Sequence, residues 1–500
     1  LLSLPGWQSL GIACALVTST AGAYPGDLLS CLNLANIKLP NTTFTLAQYV
    51  PPANGIPGYC QVKATVTPQT DVEVRLPDVW YNRYLHVGGG GFDGGIPTAQ
   101  LDAPFMSFNQ NPVSKGYAVV GSNGGHRRED YPGATFATDK TLTLNYASGA
   151  IYDSDLVGKA VVNAYYGQPA KYRYFVGCSN GGKNGSVAMA TFADDYDGVV
   201  AGSGVYGHSR DNTGGSDMSG LVASWARNLQ QPALSVAKGE ALYKAQVDAC
   251  DYVDGVGDGI IGNPEVCRFD PAALRCSGAS NDGCLTDAEI GAVRVLRSDL
   301  KDSAGRVIGP PQGPGNAGLN ESAVAGLANG FLAMAFRVPT FDPKTFDVEQ
   351  HFPTVMQVLD GVYGMSGSLT GITRYLQRGK KLILSHGWDD PLLQPYASIR
   401  AFEALTKSAG SDAKNMRLYM LPGVGHCGRG PGADTADLVG AIANWVEGGI
   451  PPDGTVVAAK LNANRTVQLT RPLCAYPETW VYRGIGDPNE AGSYWCRAPN

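Results

Sequence analysis

The sequence predicts an α/β fold: a mostly parallel sheet flanked by helices and interrupted by one large insertion. Three observations carry this. Short apolar runs alternate with helical patterns up to about residue 205 and again after residue 367, as parallel strand–helix–strand units require. Between those limits the alternation stops, and helical pieces mix with irregular Gly/Pro/Asp segments. Finally, the apolar run Tyr174-Phe175-Val176 opens directly into Gly177-Cys178-Ser179-Asn180-Gly181-Gly182, and an Ala/Val/Met-rich stretch from Asn184 to Phe192 follows as a helix.

That third stretch fits G-x-S-x-G, the sharp strand-to-helix turn that lifts a serine Oγ clear of an α/β-hydrolase sheet. Its glycines suit a tight turn crossed by neighbouring backbone. The expected architecture is therefore an α/β-hydrolase core (residues 24–205 and 368–500) carrying an inserted lid domain (206–367). Five hundred residues leave room for both, and 44% hydrophobic residues supply the core. A net charge of -6, with no basic run longer than two residues, argues against a nucleic-acid partner. Sixty-five glycines and 32 prolines point to long loops on a rigid scaffold.

In chain order, residues 1–23 read as a secretory signal: Leu10 to Val17 is a short apolar stretch, and Ala21-Gly22-Ala23 has the small-residue pattern of a cleavage site. No later apolar run is long enough to span a bilayer. Tyr24 to about Asp78 reads as loop-rich with short strands. Arg83–Val87 is a strand running into Gly88-Gly89-Gly90-Gly91, a loop whose backbone N–H groups can face a site, as in the oxyanion loops of lipases. Tyr117–Gly121 and Val199–Gly202 are further buried strands. Helical pieces at Gly220–Asn228 and Lys238–Val247 belong to the insertion. Alternation returns with the strands Lys381–Ser385 and Arg417–Leu421, and Leu438–Val446 has the spacing of a closing helix.

Eleven cysteines in an exported chain suggest five disulfides with Cys14 left over, removed with the signal. Cys31/Cys60, Cys250/Cys267, Cys276/Cys284 and Cys474/Cys496 can close local loops. Cys178 and Cys427 then remain, although sequence alone does not fix the connectivity. Sequons at Asn41, Asn320 and Asn464 suit a eukaryotic secretory route, whereas the sequon at Asn184 lies behind the serine turn, where burial would protect it.

The hydrolase order Ser…Asp…His selects the loops after the last two core strands. The first holds Ser385-His386-Gly387-Trp388-Asp389-Asp390 and the second Pro422-Gly423-Val424-Gly425-His426-Cys427. His426 is positioned to take the Ser179 proton, with Asp389 or Asp390 orienting its imidazole. His86, His126 and His386 also lie at strand ends, where hydrogen bonding within loops is the simpler role. Cys178 precedes the serine and Cys427 follows the histidine. A bridge between them would hold nucleophile and base in register, at a chain-entropy gain of about 5 kcal/mol.

Asp251-Tyr252-Val253-Asp254-Gly255-Val256-Gly257-Asp258 concentrates three carboxylates that repel one another unless a cation or solvent relieves them. Hard oxygen donors with intervening glycines suit Ca²⁺, although Gly262 stands where an EF-hand has its bidentate Glu. Cys250 and Cys267 bracket this loop, so a metal and a disulfide would stiffen it together.

Together, Cys-Ser, Asp and His-Cys in this order, a Gly-rich loop upstream and an Asp-rich loop in the insertion resemble the tannase/feruloyl esterase family over nearly the whole mature chain. That family includes the mono(2-hydroxyethyl) terephthalate hydrolases. The resemblance implies Ser179, Asp390 and His426 as the triad, its HGxxD pattern placing the acid at Asp390, not Asp389. It implies oxyanion donors from Gly91 and Asn180 and supports the five disulfides, Cys178–Cys427 included. It also implies structural Ca²⁺ held by Asp251, Asp254 and Asp258 with the carbonyls of Val256 and Ile260. The activity implied is a serine esterase, secreted or periplasmic, cleaving small esters of hydroxylated or methoxylated aromatic acids, free or on plant cell-wall polysaccharide or polyphenol. Terephthalate monoester hydrolysis is the alternative within the family. Leu393, where an aromatic is expected in those enzymes, and the shorter lid speak against it, and Arg337 is the candidate partner for a terephthalate carboxylate. Outside it stand an α/β-hydrolase peptidase and a catalytically silent, Ca²⁺-stabilised binding protein on the same scaffold.

Overall fold

The computed structural model describes residues 28–97, 105–106, 111–209, 214–313 and 321–498. The expected signal at 1–23, Cys14 and the Asn320 sequon lie outside the described residues. Among the described residues, nine strands form the central sheet: β1 (Thr42–Val50), β2 (Tyr59–Val66), β3 (Thr70–Pro77), β4 (Arg83–Val87), β5 (Tyr117–Ser122), β6 (Tyr172–Cys178), β7 (Gly198–Gly202), β8 (Lys381–Gly387) and β9 (Met416–Leu421). They lie in the order β1-β2-β3-β5-β4-β6-β7-β8-β9. From β5 to β9 every pairing is parallel, whereas β1, β2 and β3 form an antiparallel flank joined to β5. This is an α/β-hydrolase fold.

The parallel strands are buried on both faces because helices cover both. Along β6, Tyr174 and Val176 face a cluster with the helix Leu438–Gly448, while Phe175 faces another with Leu369–Gln377 and Pro395–Ala409. Strand side chains alternate between faces, so a continuous apolar run feeds both layers. Each buried Val, Leu or Phe contributes about 1.5–3 kcal/mol relative to exposure.

The amino-terminal flank departs from expectation. It is not loop-rich: β1, β2 and β3 are nine, eight and eight residues long. The signal was the alternation in Tyr59–Val66, where Cys60, Val62, Ala64 and Val66 are buried and the residues between them are half-exposed. The Cys31–Cys60 disulfide ties the short helix Leu28–Asn33 to this flank.

Between β7 and β8 the chain is mainly helical, with Met218–Leu229, Val236–Cys250, Asp287–Leu296, Glu321–Phe336 and Val348–Val355 and a short hairpin at Leu300–Lys301 and Val307–Gly309. Asp217 and Ser235 accept the early N–H groups of the first two helices, and Thr286 with Glu289 forms a capping box on the third. Trp225 and Phe331 of this segment share one apolar cluster with Phe136, Tyr146 and Leu393 from the sheet's loops. After Leu438–Gly448, two small hairpins close the chain. No helix among the described residues is long and apolar enough to cross a membrane.

Candidate active site

Ser179 sits between β6 and the helix Asn180–Thr191 with φ 63° and ψ −122°. A non-glycine residue held there costs on the order of 1–3 kcal/mol, so the surrounding structure must enforce the turn. Backbone crowding does so. A Cβ on Gly177 would stand 2.4 Å from the Gly181 carbonyl, and one on Gly181 would stand 2.8 Å from the carbonyl oxygen of Gly89. A Cβ on Gly88 would in turn meet the Gly181 Cα at 2.8 Å. The serine turn and the Gly88–Gly91 loop therefore touch backbone to backbone, and only glycine permits it. The helix begins at Asn180, four residues earlier than the sequence pattern suggests, because its glycine-rich first turn is shaped by this contact.

All five disulfides pair as expected: Cys31–Cys60, Cys178–Cys427, Cys250–Cys267, Cys276–Cys284 and Cys474–Cys496. Cys178–Cys427 joins residues 249 apart in sequence, with Cα atoms 5.9 Å apart. It brings the immediate neighbours of Ser179 and His426 together at the end of the sheet. The other four tie together other parts of the chain. Buried Cys250 pairs with half-buried Cys267 across the acidic loop, and Cys276–Cys284 closes a short surface loop. Buried Cys474 pairs with half-buried Cys496 on the last strand of the chain, Tyr494–Arg497. That bridge ties the carboxy-terminal hairpin to the segment leaving the preceding one. The third catalytic candidate comes from the loop after β8, packed so closely on the histidine loop that a Gly387 Cβ would lie 2.2 Å from the Val424 carbonyl oxygen.

Of the two consecutive carboxylates, Asp390 faces the histidine: its Oδ2 lies 2.7 Å from His426 Nδ1. Its Oδ1 accepts the N–H groups of Leu392 at 2.8 Å and Leu393 at 2.9 Å. Burial alone would raise the Asp390 pKa, but the charges and hydrogen bonds of His426 and His386 outweigh it and hold the acid well below its usual range. Asp389 points elsewhere, accepting the Tyr243 hydroxyl at 3.0 Å, and burial pushes it up to about 6.

His386 is more than a loop residue. Its Nε2 lies 3.2 Å from Asp390 Oδ2 and its Nδ1 2.7 Å from Ser398 Oγ, so it supports the acid from behind. His86 has the simpler role: buried between Tyr196 Oη at 2.7 Å and Ser154 Oγ at 3.1 Å, it is driven down to about 3 by desolvation. Buried His126 packs on Phe136 with ring centres 4.1 Å apart.

Ser179 opens into a cleft whose polar end is Gly91, Asn180 and Lys183. The remaining walls include Tyr146, Val205, Met218, Trp225, Phe331 and Leu393. Lys183 and Tyr146 were missed by sequence reasoning, since a lysine beside a turn is ordinarily a solvated residue; here it is 1% exposed. Leu393 joins this wall, whereas Arg337 is exposed and is not among the lining residues. The segment between β7 and β8 also grips the acid loop. Trp225 Nε1 donates to Leu392 O at 2.5 Å, Gln312 Nε2 to Asp390 O at 2.6 Å, and Tyr243 to Asp389.

The acidic loop lies under the carboxy-terminal hairpins. One oxygen of each carboxylate shapes the loop: Asp251 accepts from Asp258 and Gly259, Asp254 from Val256, and Asp258 from Ile260. Asp254 is 1% exposed, and burial, with Asp258 adding repulsion, raises it to about 7. The fully buried Arg471 guanidinium reaches Asp258. Asp254 is buried while Asp251 and Asp258 are half-buried, and the donors are all hard oxygens, a chemistry that suits Ca²⁺. They are spread more widely than His208, Asp217 and Asp360, whose ligand atoms all lie within 4.8 Å of one another. That tighter trio is consumed by structure: Asp217 Oδ1 caps a helix at Gly220, and Asp360 accepts Ser219 N–H at 2.9 Å. Among the other sequons, Asn41 and Asn464 are exposed and Asn184 is buried.

Comparison with known proteins agrees with this fold. A family model described as tannase and feruloyl esterase matches residues 55–309 and 316–497. An uncharacterised esterase of Xanthomonas campestris pv. campestris is 31% identical, over 97% of this chain and 93% of its own. A mono(2-hydroxyethyl) terephthalate hydrolase of Piscinibacter sakaiensis is 28% identical, over 89% of this chain and 86% of its own. The crystal structure of feruloyl esterase B from Aspergillus oryzae shares the fold with a TM-score of 0.79 at 24% identity, covering 94% of this chain and 100% of that one. Matched over most of its length by one family model and by a relative above 30% identity, the chain belongs to the tannase and feruloyl esterase family.

Proposed function

We propose that this esterase is a serine hydrolase of aromatic acid esters, working through an acyl-enzyme on Ser179. The observation that carries the reading is the covalent and hydrogen-bonded chain Ser179-Cys178–Cys427-His426–Asp390, which ends at an apolar cleft. His426 takes the Ser179 proton as Oγ attacks the ester carbonyl. Asp390 holds the imidazole with Nδ1 protonated and stabilises its cationic form. The backbone N–H groups of Gly91 and Asn180 receive the developing oxyanion, each worth about 3–4 kcal/mol at the transition state. His426 then protonates the departing alcohol. It activates a water that cleaves the acyl-enzyme, releases the aromatic acid and returns the proton to Ser179.

Feruloyl or tannin-type esters are the substrates proposed, in keeping with the family. The cleft's aromatic and aliphatic walls suit a flat acyl ring. The five disulfides favour an oxidising, extracellular or periplasmic setting. Calcium on Asp251, Asp254, Asp258 and the carbonyls of Val256 and Ile260 would stiffen the loop and takes no part in the chemistry. Initial rates on methyl ferulate, methyl gallate and mono(2-hydroxyethyl) terephthalate, with Ser179→Ala as control, test the reading. Preference for the terephthalate ester would move the substrate assignment, and turnover by the control would refute the mechanism.

A further inference from the structure

Both proposed oxyanion donors are held from behind by buried polar groups that the reaction itself does not use. Tyr146, 2% exposed, donates its hydroxyl to the Gly91 carbonyl at 3.0 Å. Asn180 donates its side-chain amide to Asp93, which is 6% exposed and belongs to the turn closed by Asp93 N–H on Gly90 O at 2.9 Å. Lys183, one turn along the nucleophile helix, donates from Nζ to the Tyr146 carbonyl at 2.9 Å, and that Nζ lies 4.4 Å from the Tyr146 ring centre. The surrounding backbone makes room for the acid: a Cβ on Gly89 would stand 2.7 Å from Asp93 Oδ2, and one on Gly124 would stand 2.4 Å from its Cβ. Arg128 fixes the Asp93 carbonyl at 2.8 Å.

Burying an ammonium and a carboxylate is expensive. Desolvation raises the Asp93 pKa and lowers that of Lys183, and each charge partly relieves the other. A methionine would fill much of the same space at no such cost. What the charged pair adds is direction: it links the glycine loop, Tyr146 and the nucleophile helix through directional bonds, where apolar packing alone would let them slide. Oxyanion donors lose value steeply when misplaced by fractions of an ångström.

We propose that Asp93, Lys183 and Tyr146 form a positioning brace that holds the Gly91 and Asn180 N–H groups where the oxyanion develops. The proposal rests on the esterase reading above. The proposed mechanism gives none of the three a bond to the substrate's reacting atoms, so each is assigned a role through the donors it holds.

The test uses Tyr146→Phe, Lys183→Met and Asp93→Asn in the full chain, with circular dichroism confirming folding. It measures kcat and KM on methyl ferulate, inhibition by an arylboronic acid that forms a tetrahedral adduct on serine, and binding of free ferulate. Lys183→Met is expected to lower kcat roughly 10- to 100-fold with KM changed less than about threefold, and boronate affinity should fall in parallel while ferulate binding holds. Tyr146→Phe removes one hydroxyl and keeps the ring, so it serves where Lys183→Met or Asp93→Asn fails to fold; a kcat loss of about 3- to 10-fold is expected. Loss confined to KM, or unchanged boronate affinity in a folded Tyr146→Phe variant, overturns the brace. A wild-type protein inactive on every ester overturns the esterase reading and the brace with it, whereas an active wild type with unimpaired variants overturns the brace alone.

Discussion

Asp390→Asn changes one atom and should disable the site. The Asp390 Oδ1 position is fixed by the N–H groups of Leu392 and Leu393 at 2.8 and 2.9 Å. An asparagine must therefore keep its carbonyl oxygen there and turn its NH₂ toward His426. The 2.7 Å contact to Nδ1 then sets donor against donor. The imidazole escapes by moving its proton to Nε2, the nitrogen that must accept from Ser179. An equivalent change in a serine protease triad costs about 10⁴ in kcat, or roughly 5.5 kcal/mol, and the same loss is expected here. Asp389→Asn leaves an acceptor for Tyr243 and should stay within about threefold of wild type. Stability separates the two further. The lowered Asp390 pKa contributes stability above the unfolded carboxyl value that is lost as pH falls through the folded value, so Asp390→Asn should flatten the acid limb. Asp389, raised to about 6 by burial, costs stability as it ionises between about pH 4 and 6, so Asp389→Asn should gain on wild type across that window. Steady-state rates on methyl ferulate from pH 6 to 9, with urea unfolding from about pH 2 to 8, check both. A loss in Asp389→Asn equal to that in Asp390→Asn, or more than about a tenth of wild-type kcat surviving in Asp390→Asn, refutes the assignment.

Ser179→Ala should lower kcat by roughly 10⁶ and abolish labelling by a fluorophosphonate probe, read by intact-protein mass spectrometry. Removing Cys178–Cys427 by paired serine substitution should cost up to about 5.5 kcal/mol on the chain-entropy model, against about 2.5 for Cys276–Cys284, whose partners are 8 residues apart. Urea titrations compare the pair, and kcat should fall in the first variant alone. On the proposed calcium site, treatment with a chelator should lower the melting temperature by scanning calorimetry, with recovery on adding Ca²⁺ but not Mg²⁺. It should lower kcat as well, because the Ile260 side chain packs where a Gly423 Cβ would meet it at 3.0 Å, on the loop that carries His426.

The parts of this site that sequence made legible are those where chemistry and backbone demand the same residue. Glycines 177, 181 and 88 are needed by a collision of main chains, and that need left a motif. The Cys178–Cys427 disulfide was legible because its cysteines sit beside the serine and histidine they hold. Cys250–Cys267 and Cys474–Cys496 were legible for a plainer reason, since their partners are only 17 and 22 residues apart. Loop position alone did not separate Asp389 from Asp390, since consecutive residues differ only in where they point; the HGxxD resemblance pointed to Asp390, and the contact with His426 agrees. The Asp93–Lys183–Tyr146 group left no pattern: its members are scattered over 90 positions, and a lysine buried at 1% exposure looks like any surface lysine until the fold encloses it. The amino-terminal strands were expected to be short, whereas they run nine, eight and eight residues, and the alternation in β2 was the signal of their length.

The grip of the inserted segment on the acid loop links two properties often treated as separable. Trp225, Gln312 and Tyr243 reach residues 392, 390 and 389, so the segment that walls the cleft also sets the register of Asp390, the proposed catalytic acid. A chimera that borrowed another enzyme's lid to change acyl preference would remove the three donors through which this segment holds the acid loop. Specificity engineering in this scaffold therefore has to keep positions 225, 243 and 312 native and work on the walls between them, at Met218, Leu221 and Phe331.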